Sequence, residues 1–404
     1  MKSVVIIGAS HAAAEAISTL RKKGWQGTIS LIGDEPLLPY QRPPLSKAYY
    51  KGEVEAEKLL LKKPQFYNDA SIDLYLGRTA ESINRDSKHV VLDGGEKIPY
   101  DKLIIATGTR ARLLPIEGAD LPNIYTLRTI ADVDFIKQNL NSGSKLLIVG
   151  GGYIGLEVAA SAVKQGVEVV VLEAMDRVLA RVTSPAVSEF YQKRHADEGV
   201  DIRLGTTLSK FAASEAGGKA IFADGEALEF DAAIIGIGVL PNSEIAEVAG
   251  LNCDNGILVD EYTSTSDPDI YAIGDCSNHP SFIYDRRIRL ESVPNAVAQA
   301  RTAAQAICGE NIRYDQVPWF WSDQYDVKLQ TAGLLTGYDS AIVRGDLNSQ
   351  KFSIFYLFNG KLLAIDAINS PAEFMIAKKL IVAGTLLDVD KIQDIAMPIK
   401  ELLG

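Results

Sequence analysis

The 404-residue sequence predicts an α/β protein with two Rossmann-like dinucleotide-binding domains and a C-terminal α+β domain. Two strand–glycine turn–helix units occur, one at the N-terminus and one that begins near residue 145. From residue 318 onward, short alternating runs typical of antiparallel strands replace them. These observations predict an outer domain formed by residues 1–111 and 232–316, an inserted domain of residues 112–231, and a C-terminal domain of residues 317–404.

The central unit carries the more complete glycine pattern. An apolar strand, residues 146–149, is followed by Gly150, Gly152 and Gly155 at G-x-G-x-x-G spacing. The first glycine permits a tight turn, the second lets the backbone approach a pyrophosphate, and the third lets the helix pack on the strand. The next strand ends at Glu173, where a ribose hydroxyl needs an acceptor. A glycine-rich turn of another α/β fold is the alternative for the glycines alone.

The N-terminal unit matches the same pattern imperfectly. Gly8 follows a buried strand, but Ser10 takes the second glycine position and Ala13 the third. Alanine is commonly accepted in third place, whereas serine requires a slightly wider approach to the phosphate. The following strand ends near Asp34 and Glu35, which again offer an acid to a ribose. Two such units imply two dinucleotides, and hence hydride transfer between them.

A proline-rich segment follows the first unit. Pro43 and Pro44 stop any helix, and we expect a new helix to open at Leu45 and Ser46. No cysteine lies in this segment. Since thiolate chemistry needs a thiolate, this absence argues against a redox disulfide here.

Two further strand ends of the outer domain carry candidate ligand contacts. One apolar strand ends in Ala106, Thr107 and Gly108, which brings backbone close to a ligand. Another delivers Gly274 and Asp275 to the edge where open α/β sheets bind ligands. Asp275 fits a ligand acceptor and a helix cap equally well.

Composition limits the class of function. The net charge of −11 opposes nucleic-acid binding, so any basic docking surface must be local. The three cysteines, Cys253, Cys276 and Cys308, form no CxxC pair and predict neither a disulfide framework nor a metal site. No apolar run is long enough to cross a bilayer, and we expect a cytoplasmic protein.

The order of these motifs resembles the NADH-dependent ferredoxin reductases of bacterial oxygenase systems, which share the glutathione-reductase-like flavoprotein fold. The resemblance covers essentially the whole chain. Its most specific segments are residues 42–47, 150–157, 271–276, 291–296 and 318–325.

This resemblance implies FAD on the outer domain and NADH on the inserted domain. The residues implied for FAD are Gly8, Ser10, Ala12, Ala13, Asp34, Glu35, Arg42, Lys47, Ala80, Ala106, Thr107, Gly108, Arg128, Gly274, Asp275, Glu291, Val293 and Trp321. Those implied for NADH are Gly150, Gly151, Gly152, Ile154, Gly155, Glu173 and Gly238. An acid at Glu173 repels a 2′-phosphate and favours NADH, although Arg177 leaves NADPH open.

The resemblance also implies a catalytic pair. Hydride transfer to a flavin needs stacking and distance rather than a general base. Lys47 and Glu157 match a lysine and a glutamate that lie near the flavin edge in the family. Lys47 would stabilise the anionic reduced flavin, and Glu157 would hold the lysine in place. A purely structural ion pair is the alternative.

The implied electron acceptor is an acidic [2Fe-2S] ferredoxin that supplies a P450 or Rieske oxygenase. Docking needs exposed cations, and such interfaces are small and transient. The candidate docking residues are Lys62, Lys63, Arg301, Lys328 and Trp321. A solvated charged face and a core tryptophan are the alternatives.

Two other functions remain open on the same architecture. The first is an NAD(P)H-dependent disulfide or peroxide reductase, which needs an active-site cysteine near residue 45. The second is a flavoprotein that acts chiefly as an interaction partner, as apoptosis-inducing factor does. The segment at residues 319–325 and the lack of basic DNA-binding sequence favour the reductase.

Overall fold

The computed structural model describes residues 2–215 and 217–403. The chain forms two compact units. The first unit comprises residues 2–41, 57–110 and 240–318, and the second comprises residues 42–56, 111–239 and 319–403. The division into three domains at the boundaries given above stays a prediction.

The first unit is built on a five-stranded parallel sheet. Its apolar strands pair in register, with Val5 beside Ser30 on one side and Leu103 on the other. In spatial order the strands are Ile270–Ala272, Lys102–Ile105, Ser3–Ile7, Thr28–Gly33 and Ile72–Leu76. The carboxyl ends of these strands therefore meet at one edge, where a doubly wound sheet binds its ligand.

Two alanine-rich helices cover one face of this sheet. Helix His11–Lys22 and helix Val293–Ile307 contribute buried alanines to one apolar core, which also includes Val4 and Ile6. Because alanine has only a methyl group, two helix backbones can approach each other closely there. This packing places the helix that follows Gly8 firmly against the strand that precedes it.

The opposite face packs on a small antiparallel sheet. In this sheet, His89–Leu92 pairs antiparallel with Lys97–Pro99. The remaining elements of the first unit and its crossings are Ala56–Leu59, Pro64–Asp69, Ala80–Asn84, Asp93–Gly95, Thr109–Ala111, Val239–Pro241, Glu244–Val248, Ile257–Leu258, Gly274–Cys276, Ser277–Ser281 and Arg286–Ile288.

The second unit contains its own five-stranded parallel sheet. The spatial order is Asp201–Leu204, Glu168–Glu173, Lys145–Val149, Ala232–Ile235 and Ile124–Tyr125. Three helices accompany these strands: Ile130–Asn139, Tyr153–Val163 and Pro185–Asp197. An antiparallel sheet that the sequence did not predict, Leu208–Ser214, Gly217–Phe222 and Ala227–Phe230, packs its phenylalanines against this sheet.

The C-terminal part of the second unit is an antiparallel sheet with helices, as predicted. The strands lie in the order Trp319–Gln324, Val327–Gly333, Lys361–Ile368, Phe352–Phe358 and Ser340–Gly345. The helical segments are Pro371–Ala383, Val389–Gln393 and Ile399–Leu403. Leu156 and Tyr191 share a buried apolar core with Leu329 and Tyr356, so the parallel and antiparallel sheets of this unit form one body.

The expected helix opening at Leu45 and Ser46 is wrong. The chain forms only a single 3₁₀ turn, Pro43–Ser46, and leaves helical geometry at Lys47. Proline suits the first turn of a helix because its φ is preset, so this turn begins at the prolines themselves. Leu45 and Ser46 are buried in the second unit.

The longest helix in the described part of the chain is Val293–Ile307, with 15 residues. Within residues 2–215 and 217–403, every helix is too short or too polar to span a bilayer.

Candidate functional site

The N-terminal glycine turn is shaped by close backbone approach. Gly8 has a φ of +106°, and a Cβ at this position would overlap the carbonyl oxygen of Ala106. The Gly8 N–H donates to the Ile32 carbonyl at 2.8 Å. Only glycine combines this φ with this contact, so Gly8 is required for the turn itself.

A cavity of about 360 Å³ opens at the carboxyl ends of the first unit's strands. It is lined by four predicted site residues, Gly8, Asp34, Ala80 and Thr107. The Asp34 side chain is exposed. Its carboxylate accepts a hydrogen bond from the N–H of the neighbouring Glu35 at 3.1 Å. The cavity therefore combines a glycine turn with an accessible carboxylate, the pair of features that fits the adenosine end of a dinucleotide.

Other predicted residues of the first unit lie outside the lining of this cavity. Glu35 accepts a hydrogen bond from Tyr40 Oη at 2.6 Å, which gives it a structural role. Glu291 is exposed and pairs with Arg289 at 2.8 Å, and Val293 begins the helix that packs on the sheet. Further predicted residues are Ser10, Ala12, Ala13, Ala106 and Gly108, which lie in or beside the strand ends and the first helix.

The Gly274–Cys276 turn is held by a buried amide. The Gly274 N–H donates to Gln299 Oε1 at 2.7 Å, and a Cβ added at Gly274 would touch the methyl of Ala12. Asp275 Oδ2 accepts from Thr109 Oγ1 at 3.3 Å. The turn thus lies beside the first residues of the N-terminal helix.

The central glycine turn repeats the geometry of the first. Gly150 has a φ of +113°, and a Cβ there would overlap the Gly236 carbonyl oxygen. A Cβ at Gly155 would overlap the carbonyl oxygen of Gly150, so the third glycine is needed for close helix–strand packing. The tight turn at the first glycine and the close helix packing at the third therefore each leave no room for a Cβ atom.

Glu173 folds back over this turn. Its Oε2 accepts from the Gly151 N–H at 2.8 Å and its Oε1 accepts from the Met175 N–H at 2.9 Å. Two backbone donors fix the carboxylate at the strand end. Ile154 is exposed on the first helical turn, and Gly238 is exposed with no atom near its potential Cβ.

Arg177 is committed to the protein's own structure. Its Nη1 donates to the Thr183 carbonyl at 3.0 Å and to Ser188 Oγ at 2.7 Å, and its Nη2 donates to the Ala180 carbonyl at 2.8 Å. These bonds anchor the loop after Glu173. The guanidinium is therefore occupied by hydrogen bonds within the fold.

The half-buried Lys47 forms an ion pair with the buried Glu157. Lys47 Nζ lies 2.5 Å from Glu157 Oε2, and the glutamate is only 5% exposed. Ser46 Oγ donates to the same oxygen at 2.6 Å, and Ser322 Oγ donates to Oε1 at 2.6 Å. Every carboxylate oxygen thus has a donor, as a buried charge requires.

The sequence did not identify the two serines. Ser46 lies inside the proline-rich motif, and Ser322 lies inside the motif at residues 318–325. Both motifs were recognised, but no role was predicted for either serine. Neither has spacing that relates it to Glu157, because the contacts join residues 111 and 165 positions apart. Ser161 Oγ additionally donates to the Ser46 carbonyl at 2.7 Å, which fixes that turn on the helix carrying Glu157.

Three other predicted residues also belong to the second unit. Arg42 Nη1 donates to the Arg128 carbonyl at 2.5 Å, so the structure brings these two residues together. Trp321 is partly buried and lies beside Trp319, with ring centroids 5.8 Å apart.

Comparison with known proteins identifies the family. The model of the pyridine nucleotide-disulphide oxidoreductases matches residues 2–300, and a reductase C-terminal model matches residues 319–403. The chain belongs to the pyridine nucleotide-disulphide oxidoreductase family. Putidaredoxin reductase of Pseudomonas putida is 44% identical over 100% of this chain and 97% of its own length. Rhodocoxin reductase of Rhodococcus erythropolis is 44% identical over 98% and 93%.

A solved structure gives the same answer in three dimensions. The covalent putidaredoxin reductase–putidaredoxin complex contains a chain that matches with a TM-score of 0.96 at 44% identity, covering 100% of this chain and 98% of that one. The predicted α/β class, with a separate C-terminal module, is confirmed, and the protein is an oxidoreductase of this family.

Proposed function

We propose that this protein is an NADH-dependent ferredoxin reductase. The observation that carries this proposal is the Lys47–Glu157 ion pair, in a segment without cysteine, beside a dinucleotide-type glycine turn. The full-length relatives are reductases that serve oxygenase systems, among them the ferredoxin reductase subunit of a benzene 1,2-dioxygenase system. The protein is an oxidoreductase that uses FAD and NAD(H), and its partner is a [2Fe-2S] ferredoxin that supplies an oxygenase.

FAD supplies the chemistry of this reaction, because a flavin accepts a hydride and releases its two electrons one at a time. The chain's own task is to bind, orient and electrostatically tune the two cofactors. We assign the cavity with Gly8, Asp34, Ala80 and Thr107 to the adenosine part of FAD, and Gly150, Gly151, Gly152, Gly155 and Glu173 to NADH. The assignments of Arg42, Arg128, Trp321, Ile154, Gly238 and the other residues predicted above stay predictions.

Lys47 is the group proposed to act on the flavin. An ammonium held at a fixed position stabilises negative charge that develops beside it, and costs no reorganisation when the charge appears. Glu157 and Ser46 hold that ammonium, and the Pro43 carbonyl accepts from it at 3.3 Å. The Lys47 side chain is 19% exposed, so one part of it stays accessible.

We propose a preference for NADH over NADPH. The Glu173 carboxylate would repel the negatively charged 2′-phosphate of NADPH. The N–H groups of Gly151 and Met175 hold this carboxylate in place. Arg177, the residue that left the question open, makes three bonds within the fold. The comparison of kcat/KM for the two coenzymes measures this preference directly.

The cysteines disfavour a disulfide or peroxide reductase. Cys276 is fully buried, and burial raises the pKa of its thiol. Burial raises the pKa of Cys253 to about 11 and raises the pKa of Cys308 as well. A thiol with a raised pKa is a poor nucleophile at neutral pH, so none of the three is suited to that chemistry.

The decisive test is reduction of cytochrome c by NADH, with and without an added [2Fe-2S] ferredoxin. The proposal predicts strong stimulation by the ferredoxin, because the ferredoxin is the expected carrier of electrons from the flavoprotein to cytochrome c. A rate that does not respond to ferredoxin favours the alternative that the protein is a flavoprotein acting chiefly as an interaction partner. Reduction of a disulfide or peroxide substrate instead identifies the other reductase class.

We propose Lys62, Lys63, Arg301, Lys328 and Trp321 as candidate docking residues. Lys63, Arg301 and Lys328 are exposed on a chain of net charge −11, as local cations for an acidic partner must be. Arg301 Nε is paired with Glu15 at 2.6 Å, which reduces its effect at a distance.

Charge reversal at Arg301 tests this assignment. We expect Arg301→Glu to raise the KM for ferredoxin roughly three- to tenfold and to flatten its salt dependence, because rim charges act mainly on encounter. Reversal of the exposed Lys97 is the matched control and leaves both quantities unchanged. Equal behaviour of the two variants would place the docking surface elsewhere.

A cytoplasmic location also remains a proposal. The described cysteines are all free, as expected in a reducing compartment. Cell fractionation followed by assay of ferredoxin-dependent activity tests it.

A further inference from the structure

A line of buried polar side chains leads away from Glu157 through the second unit. Ser322 Oγ donates to Glu157, and Gln324 Nε2 lies 3.1 Å from Ser322 Oγ. His195 Nε2 lies 2.8 Å from Gln324 Oε1, and Tyr325 Oη lies 2.9 Å from His195 Nδ1. We call Ser322, Gln324, His195 and Tyr325 the donor chain.

The carboxylate dictates the direction of every bond in the donor chain. An ionised carboxylate only accepts, so the single hydroxyl proton of Ser322 must point at Glu157. Gln324 must then donate to Ser322, which turns its carbonyl oxygen towards His195. His195 must carry its proton on Nε2, and its Nδ1 accepts from the Tyr325 hydroxyl.

The surroundings of His195 agree with this neutral tautomer. Burial lowers the pKa of His195 to about 4, with Arg194 acting in the same direction and Gln324 and Glu198 opposing it. Within the donor chain, His195, Gln324 and Ser322 are each at most 1% exposed. A buried imidazole with both nitrogens hydrogen-bonded has one allowed orientation.

Tyr325 occupies a costly backbone conformation at the outer end. It lies between strands Trp319–Gln324 and Val327–Gly333 with a φ of +57°, a region that favours glycine and asparagine over a bulky residue. Its ring is covered by the Arg194 guanidinium at 4.8 Å and by Lys164 Nζ at 5.6 Å. Gln324 pairs with Val327, and a two-residue hairpin loop requires a positive φ at its first residue, so the turn itself imposes this conformation on Tyr325.

We propose that His195, Gln324 and Ser322 are positioning residues for flavin reduction, which act by orienting Glu157 and through it the Lys47 ammonium. This inference rests on the proposed function, since it assumes that Lys47 acts on the flavin. The donor chain holds orientation rather than carrying protons, because an amide such as Gln324 does not readily gain or lose a proton. The C-terminal module thereby contributes Ser322 and Gln324 to the hydrogen bonds that orient Glu157.

The test compares matched variants in stopped-flow reduction of the FAD-loaded protein by NADH. Ser322→Ala and His195→Leu should each slow flavin reduction about tenfold while the KM for NADH stays within about twofold, because each variant breaks the hydrogen bonds that orient Glu157. His195→Gln keeps an N–H donor near the Nε2 position and should recover most of the rate. Ser353→Ala is the control, because Ser353 is a buried serine of the same sheet whose hydroxyl has no partner among the described residues.

A combination with Lys47→Met separates the proposed role of Lys47 from the proposed role of the donor chain. Lys47→Met should slow flavin reduction, and Ser322→Ala should then add nothing, since both act through one ammonium. If Lys47→Met leaves the rate unchanged, the proposed role of Lys47 fails, and the inference fails with it. If Lys47→Met slows the reaction but Ser322→Ala behaves like Ser353→Ala, only the inference is overturned.

A structural measurement adds a readout that is independent of turnover. In protein labelled with ¹⁵N-histidine, His195 should show the Nε2–H tautomer at neutral pH, and Tyr325→Phe should shift its Nδ1 resonance. An Nδ1–H tautomer would contradict the hydrogen-bond directions of the donor chain and overturn the inference. Melting temperatures of Ser322→Ala and Ser353→Ala show whether a rate difference reflects lost stability instead.

Discussion

The glycine turns of the two units solve the same steric problem with different residues. At the first position both units have a glycine with positive φ whose Cβ would overlap a carbonyl oxygen of a neighbouring segment, at Gly8 and at Gly150. At the third position the first unit accepts the methyl of Ala13, whereas the second requires Gly155. The first position is therefore set by backbone geometry common to both turns, and the third by how closely each helix approaches its own strand.

The acids that follow the two turns differ as well. Asp34 lines an open cavity, whereas Glu173 is held by two backbone N–H groups. The second unit thus presents a carboxylate of fixed orientation, and the first presents one that a ligand can orient. This difference predicts that coenzyme discrimination belongs to the second unit.

The largest expected effect comes from a methyl group at the first glycine. Gly8→Ala and Gly150→Ala should each lower the free energy of unfolding by about 3 kcal/mol or more, since both φ strain and a backbone overlap are introduced. Folded Gly8→Ala protein should lose FAD, whereas folded Gly150→Ala protein should keep FAD and lose NADH binding. Thermal unfolding and flavin content measure these outcomes.

Gly24→Ala is the control for these variants. Gly24 has a φ of +82° but no atom within 4 Å of its potential Cβ. It should cost about 1 kcal/mol, from backbone strain alone. An equal loss in all three variants would show that the overlap with the facing carbonyl contributes nothing.

A smaller effect should appear on acidification, because each unit buries one histidine. Burial lowers the pKa of His195 and of His279 to about 4, with Arg194 and Arg287 respectively adding to the effect. The unfolded chain takes up these protons at about pH 6.5, so stability is fully present above that pH and falls as the pH drops towards 4. Each histidine should cost about 2.5 kcal/mol at pH 4.5, because one unit of difference in pKa corresponds to about 1.4 kcal/mol.

Substitution separates the two contributions. His279→Gln should remove the acid dependence of the first unit, and His195→Gln that of the second. Urea unfolding at pH 7 and pH 4.5 measures both. Two variants as acid-sensitive as the parent protein would show that other groups govern the pH dependence.

The smallest effect should come from the two acids. Glu173→Ala should raise the KM for NADH about tenfold, because the carboxylate no longer accepts a hydrogen bond from the ribose hydroxyl. It should also reduce the preference for NADH over NADPH, because the carboxylate no longer repels the 2′-phosphate. Asp34→Ala should weaken FAD binding by a similar factor and leave the coenzyme ratio unchanged. A change of that ratio in Asp34→Ala would contradict the division of labour between the units.

Much of the fold was predictable because its causes are local. A buried apolar strand followed by glycine and then helix formers determines a strand–turn–helix unit within about fifteen residues, and both units formed where predicted. The antiparallel strands of the C-terminal module follow from alternation of the same short range. The helix expected at Leu45 failed at this same local level, because the prolines themselves begin a single 3₁₀ turn that ends at Ser46.

The sequence alone determined the two glycine turns, the acids after them and the absence of cysteine near residue 45, because each depends on residue type and near neighbours. Only the tertiary structure decided that residues 42–56 join the second unit, that Arg177 is consumed by its own loop, and that Ser46 and Ser322 close around Glu157. Hydrogen bonds between side chains more than a hundred residues apart have no periodicity along the chain. They exist only once packing has placed the donors within about 3 Å of their acceptors.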